Sequence, residues 1–280
     1  MLVCLPAAID FLNANMGEWL FNLPVPWMAV VVFAATYLFA TGIYWGVTSL
    51  AVNDRARAFK AVSPGMLSPL GILFALLVGF IAVEVWGNFD KAKVAVTTEA
   101  SALRALVLLA GTLPDEQRTR IYALINRHIE KAVNEEWPAM AQQRASLSTL
   151  PTALIEELHD MLALKPADDR QRAAQPEMIK ALHMALDARR QRIVISQAAI
   201  GAVKWAGILL QGFCTLVAIA MVHSDNRLTC GITLMLFATG IALSVLLIAA
   251  YSRPFTSERS VGPELLQQVI PSEVTVGRSR

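Results

Sequence analysis

Apolar residues in this chain fall in long blocks rather than short alternating runs. From Trp27 to Asn53 no charged residue occurs, more than the ~20 residues a helix needs to cross a ~30 Å hydrocarbon core. Leu67–Val83 is a second block, carried past Glu84 by Val85 and Trp86, and Val203–Val222 and Leu228–Tyr251 supply the third and fourth. The pattern predicts an all-α membrane protein with four transmembrane helices, paired as hairpins over 27–89 and 203–251 around a helical cytoplasmic domain at 90–202. The opening stretch, 1–26, reads as an interfacial segment: Trp19, Phe21 and Trp27 lie at headgroup depth, and Pro24 and Pro26 set the entry into the first span. Residues 252–280 read as a C-terminal tail.

Between the hairpins the period changes to that of amphipathic helices. Ile121, Leu124, Ile125, Ile129, Val133 and Trp137 repeat at three and four after a Leu113-Pro114-Asp115 start, with Pro138 where the helix should stop. Pro151 opens another helix, with Leu154, Leu158, Met161 and Leu162 on one face and a close before Pro166. The polar stretch Pro166–Pro176, bracketed by prolines, reads as a linker.

Two helices are expected to run out of the membrane without a stop. No breaker lies between Gly87 and Gly111, and Phe89, Val94, Ala100, Leu103, Leu106, Val107 and Ala110 keep one apolar face going. Glu177–Val222 likewise runs through Ile179, Leu182, Leu186, Ile193 and Ile200 into the third span. At ~1.5 Å per residue each would be on the order of 65 Å long. Apolar faces standing clear of the bilayer need partners, which points to a bundle and to an oligomer.

Composition and charge narrow the picture further. The 280 residues are 55% hydrophobic and 16% charged, with 24 Lys+Arg against 22 Asp+Glu, and the mean hydropathy is +0.50. That excludes a disordered chain and a nucleic-acid partner held by bulk charge, leaving the lipid bilayer as the surroundings. Basic residues flank the spans unevenly. Arg55, Arg57, Lys60 and Arg227 lie on one side; Lys91, Lys93, Arg104, Arg189, Arg190, Arg192, Lys204, Arg253 and Arg259 lie on the other. The larger set places both termini and the middle domain in the cytoplasm. Met1–Leu12 lacks the basic start of a secretory signal.

The residues suggest no reaction. The sequence holds no GxxxxGK[ST], GxGxxG or GxSxG run, so no catalytic residue, enzyme activity or cofactor is expected. Cys4, Cys214 and Cys230 fit neither a disulfide framework nor a metal spacing, and His128, His159, His183 and His223 are scattered. The second span carries the candidate chemistry instead. Glu84 stands near its inner end, where an ionisable side chain must face water or a partner. Ile72, Leu76, Phe80 and Val83 form a stripe on the same helix, suited either to ordinary packing and lipid contact or to a hydrophobic constriction around an axis. Gly71 and Gly79 lie nearly on one face and are expected to admit a close neighbour, and Gln211 is expected to bond across to an adjacent helix.

The run LGILFALLVGFIAVEVWGNFDKAKVAVTTEASALRALVLLA, Leu70–Ala110, together with Arg253-Pro254-Phe255 and Gly262-Pro263-Glu264-Leu265-Leu266, resembles the bestrophin-like family of bacterial membrane proteins (DUF4239). The order of two spans, a helical domain and two spans matches that family throughout, although the specific motifs are confined to these two stretches. Bestrophins are pentameric ion channels whose second membrane helix lines the pore and continues into the cytoplasm. The resemblance implies the same here, with permeating ions and copies of the chain itself as partners. Trp86, Asn88, Phe89 and Asp90 echo the aromatic, amide and acid pattern at the inner end of that helix, and the neck would fall near Ile72, Leu76 and Phe80. Two departures are visible. Glu84 stands where bestrophins carry an arginine, so anion preference does not carry over. After Pro254 and Phe255, residues Thr256, Ser257, Glu258 and Arg259 offer one carboxylate, too few for the acidic calcium site that some bestrophins hold.

The expectation is therefore an oligomeric, pentameric channel whose axial pore is lined by the second span, with Ile72, Leu76, Phe80 and Glu84 at its pore or gate. The alternative is a non-conducting membrane scaffold or sensor whose cytoplasmic helices bind a protein partner. An apolar face on 115–137 left exposed would favour that alternative.

Overall fold

The structure is a computed structural model that describes residues 20–51, 59, 64–256 and 260–269. The interfacial stretch up to Trp19, Cys4, the basic residues Arg55, Arg57 and Lys60, and Ser257, Glu258 and Arg259 of the tail lie outside the described residues. All elements described are helices. They are α1 (Val25–Leu50), α2 (Leu67–Ala110), α3 (Asp115–Lys131), α4 (Trp137–Ala141), α5 (Thr152–Ala163), α6 (Asp169–Ser196), α7 (Ala202–Val222), α8 (Arg227–Tyr251) and the short α9 (Glu264–Gln267). Among them α1, the first part of α2, α7 and α8 are long and apolar enough to cross a membrane. The residues group into two compact units: those up to Gly87 with Ala199–Ser252, and Asn88–Ala198 with those from Arg253 on.

In the first unit, α1 begins after Pro24, whose extended backbone and lack of an N–H suit a helix start. Within α1 the hydroxyls of Thr36, Thr41 and Thr48 donate to the carbonyls four residues back, at 2.8, 2.7 and 2.6 Å, so these three donors are paired inside the helix. Packing among α1, α2, α7 and α8 buries Ala40, Ile43, Phe74, Ile81, Ile208, Leu216, Leu234 and Ile241 together. Gln211 bonds across as expected, donating to the Leu70 carbonyl at 3.3 Å. The glycine expectation is half met. Phe237 approaches Gly71, whereas nothing lies within 4 Å of a side chain built at Gly79. The tightest approach is at Gly212 on α7, where an added Cβ would stand 3.5 Å from Ile241 and 3.7 Å from Phe74.

The first long helix stands: α2 is a single element of 44 residues, about 66 Å at 1.5 Å per residue. The second does not run unbroken. α6 ends at Ser196 and α7 starts at Ala202. The Ser196 hydroxyl folds back on the Ile193 carbonyl at 2.7 Å, and the last turn tightens through Gln197 and Ala198 N–H bonds to Val194 and Ile195. Gly201, extended at φ −61°, ψ 149°, then starts α7. Apolar residues on both sides of the joint keep a common period and hide it in the sequence.

The second unit departs from expectation at its prolines. The linker shrinks to Leu164–Asp168, because Asp168 caps α6 by accepting the Gln171 N–H at 2.8 Å and the helix runs on through Pro176. Pro138 does not end its helix either. A π turn over Ala132–Glu136, with the Trp137 N–H reaching Ala132, inserts one residue and restarts the helix. Pro138 then falls in the first turn of α4, where no N–H is required. On α5 the inner face is Ala153, Leu154, Glu157 and Met161, while Leu162 points out.

The Gly212 contact gives a graded test. Gly212→Ala should leave the thermal midpoint of the detergent-solubilised protein nearly unchanged, since its Cβ meets ordinary contact distances. Gly212→Leu should cost about 1–3 kcal/mol by overpacking against Ile241 and Phe74, read as a clear fall in the midpoint.

Candidate functional site

Along α2 the buried positions Phe74, Ile81, Val85, Ala92, Val96, Glu99, Leu103, Leu106 and Ala110 recur at helical spacing and hold one line from end to end. The opposite line in the apolar part is open. Ile72, Leu76, Phe80 and Val83 are 57, 52, 73 and 68% exposed among the described residues. These are the stripe residues singled out in the sequence, and they do share one face. Glu84 stands at the edge of that face rather than on it. Its carboxylate takes both a 2.5 Å and a 2.6 Å contact from the Lys204 ammonium at the start of α7, and both side chains are about half exposed. Trp86 lies exposed one turn on, Asn88 and Phe89 are half-buried, and Asp90 is exposed.

The other motif residues, Pro254 and Phe255, are structural in a specific way. Phe255 is buried with its ring edge-on to Trp137 at 6.0 Å, and the Pro254 carbonyl accepts the Val261 N–H at 2.8 Å. Trp137 Nε1 in turn donates to the Val261 carbonyl at 3.0 Å, and the Thr256 hydroxyl donates to Ala141 at 2.8 Å. The segment after the last span is thus sewn onto α4.

Beneath Trp137 lies a cluster that the sequence reading missed. Arg192 on α6 is wholly buried and grips Glu99 of α2 with Nε at 2.8 Å and Nη2 at 3.1 Å. The same Nη2 reaches Glu136 Oε2 at 2.9 Å, and the guanidinium carbon sits 4.4 Å from the centre of the Trp137 ring. One turn earlier, Arg189 donates to Glu136 Oε1 from Nε at 2.8 Å and from Nη2 at 2.6 Å, and to the Thr149 carbonyl at 2.8 Å. His128 Nε2 lies 2.9 Å from Glu99 Oε1, and since an ionised carboxylate only accepts, that nitrogen carries the hydrogen. Two carboxylates and two guanidiniums balance, so the interior holds no net charge. Burial pushes the Glu136 carboxyl up, but Arg192 and Arg189 outweigh it and hold the group below the usual range. Its contribution to stability is therefore present at neutral pH and is lost as pH falls through that lowered value.

Arg189 and Arg192 thus neutralise buried carboxylates and are not free to mark the membrane surface, which corrects their place in the flanking-charge count. The available signal was Glu99 itself, three residues after Val96 and four before Leu103 on the apolar face of α2. Among the described residues no group of three or more His, Cys, Asp or Glu side chains is placed to hold a metal ion.

A family model described as the Bestrophin-like domain matches residues 34–266. The fold is similar to crystal structures of a bacterial bestrophin homologue from Klebsiella pneumoniae, each carrying one substitution. One has a TM-score of 0.61 at 14% identity, covering 91% of this chain and 99% of that one. A second has 0.61 at 16%, covering 89% and 97%, and a third 0.60 at 13%, covering 88% and 95%. No curated protein matches.

Removing Arg192 should expose how much depends on the cluster. Arg192→Leu leaves Glu99 buried without its cation and is expected to lower stability by about 3–5 kcal/mol. Arg172→Leu, which breaks only the exposed pair with Asp169, should shift the thermal midpoint little in the same measurement.

Proposed function

The chain belongs to the Bestrophin-like family, and from that premise we propose that it is the subunit of a homo-oligomeric, pentameric ion channel whose axial pore is lined by α2. The observation that carries this reading is the open line of Ile72, Leu76, Phe80 and Val83. Phe74, Ile81 and Val85 on the other side of the helix are already packed within the chain, which leaves the open line to lipid or to other copies as far as the described residues go. Several such lines around an axis make a constriction that water leaves readily, and ions then pass or stop according to its width. The Glu84–Lys204 pair sits beside the inner end of that line and holds α2 to α7 there, and Trp86 and Asp90 follow it at the inner mouth. The protein is an integral membrane protein; we place it in the bacterial inner membrane with termini and helical domain cytoplasmic, performing transport and not a reaction.

The scaffold alternative loses support at α3. Ile121, Leu124, Ile125 and Ile129, the face that would meet a partner, are buried in the chain's own core.

Two measurements test the proposal together. Native mass spectrometry of the protein in nanodiscs should give a five-subunit particle, and liposome flux should be ion-dependent. Leu76→Ala should widen the constriction and raise flux several-fold with the particle intact. A monomer or dimer, or an intact pentamer whose flux is unchanged by Leu76→Ala and by Ile72→Ala, would count against a pore on this face.

A further inference from the structure

One buried acid in the second unit belongs to no ion pair. Glu157 lies on the inner face of α5, three residues after Leu154 and four before Met161, where the helical period calls for an apolar residue. It is 1% exposed, and neither carboxyl oxygen has a hydrogen-bond partner. It lines a cleft of about 460 Å³ between α3 and α5, together with Gln117, Arg120, Asp160 and Lys165.

The two arginines nearby are committed elsewhere. Arg120 from α3 places Nε 2.6 Å from Asp160 and Nη2 3.4 Å from Glu156, and Arg127 from α3 also turns to Glu156. Lys165 stands exposed at the rim of the cleft. From α6, the group laid against the end of α5 is the neutral amide of Gln175, donating to the Met161 and Leu164 carbonyls at 2.7 and 3.0 Å. Glu157 is thus left facing the like charges of Asp160 and Glu156, with Arg120 as the only opposing influence.

We propose that Glu157 is a proton-operated latch between α3 and α5, which seats α5 firmly when it carries a proton and loosens it when the proton leaves. A neutral carboxyl fits this position; a carboxylate there is 1% exposed and receives no donor from the protein. Burial first, and then the Asp160 charge, raise its titration from 4.5 to about 7, against the pull of Arg120. When α5 opens, Glu157 meets water and returns to the ordinary carboxylate range. The closed seam therefore binds a proton that the open one releases. The stabilisation is complete below about pH 4.5, declines as pH rises, and is gone above about 7. A modest acidification of the surroundings from neutrality tightens this part of the unit.

Hydrogen exchange on the full chain in nanodiscs tests the latch directly. In peptides covering Thr152–Ala163, protection corrected for chemical exchange rate should fall by up to about tenfold per pH unit between pH 5 and 7 and level off by pH 8. Peptides from the middle of α6 should show no such slope. Glu157→Gln, neutral at every pH and of the same size, should stay level across the range and exceed the wild type at pH 8. A flat wild-type profile in α5, or the same slope in Glu157→Gln, overturns the proposal. Should that variant fail to fold, the wild-type profile alone decides: a fall confined to α5 and its α3 partner supports the latch, and a flat or chain-wide response overturns it.

Discussion

A glutamate sealed from water stays ionised only with cations and donors aimed at it, and Glu99 meets that condition in full. Arg192 occupies both of its oxygens and His128 meets one of them. Everything around the pair follows from the need to place those side chains. α6 must bring Arg192 and Arg189 inward on one face, and the π turn must turn Glu136 towards them. Trp137 must cover the guanidinium and Phe255 must cover Trp137. A hydrophobic core would tolerate small slips among these elements. A charge cluster of this kind does not, because each displaced partner leaves an uncompensated ion.

How much of this was visible beforehand differed from element to element. The four spans were legible because each block is almost wholly apolar and close to or beyond the ~20 residues that cross a bilayer, with Trp27–Asn53 uncharged throughout. The length of α2 was legible because nothing in Gly87–Ala110 can stop a helix. The joint at Gln197–Gly201 was not, since periodicity reports which face is apolar and says nothing of where a helix ends. Pro176 and Pro138 misled for a related reason: a proline forbids one hydrogen bond, and a side-chain cap or a π turn nearby can accommodate that loss. The cluster was hidden by distance. Glu99 lies 29 residues from His128 and 93 from Arg192, and no local pattern records pairings of that range.

The candidate pore face was legible in a narrower sense. The spacing of Ile72, Leu76, Phe80 and Val83 announced a stripe, and the fold adds that it stays exposed among the described residues. Glu84 looked like a lone charge within the span, and the fold instead gives it Lys204, 120 residues away. Two electrostatic habits are therefore present in one chain. Glu84, Glu99 and Glu136 are each given a cation, while Glu157 has no ion-pair partner among the described residues.

The stitching of Phe255, Val261 and Thr256 onto Trp137 and Ala141 has a bearing on how the protein is made. The ribosome delivers α3, α4 and α5 before α7 and α8, and the ring that covers the Trp137 side of the cluster comes only after α8. Between them the chain must thread α7 and α8 into the bilayer. The helical unit therefore lacks this cover until the chain has been made past α8, and a chain stalled before Phe255 would leave the Trp137 side of its charged interior open.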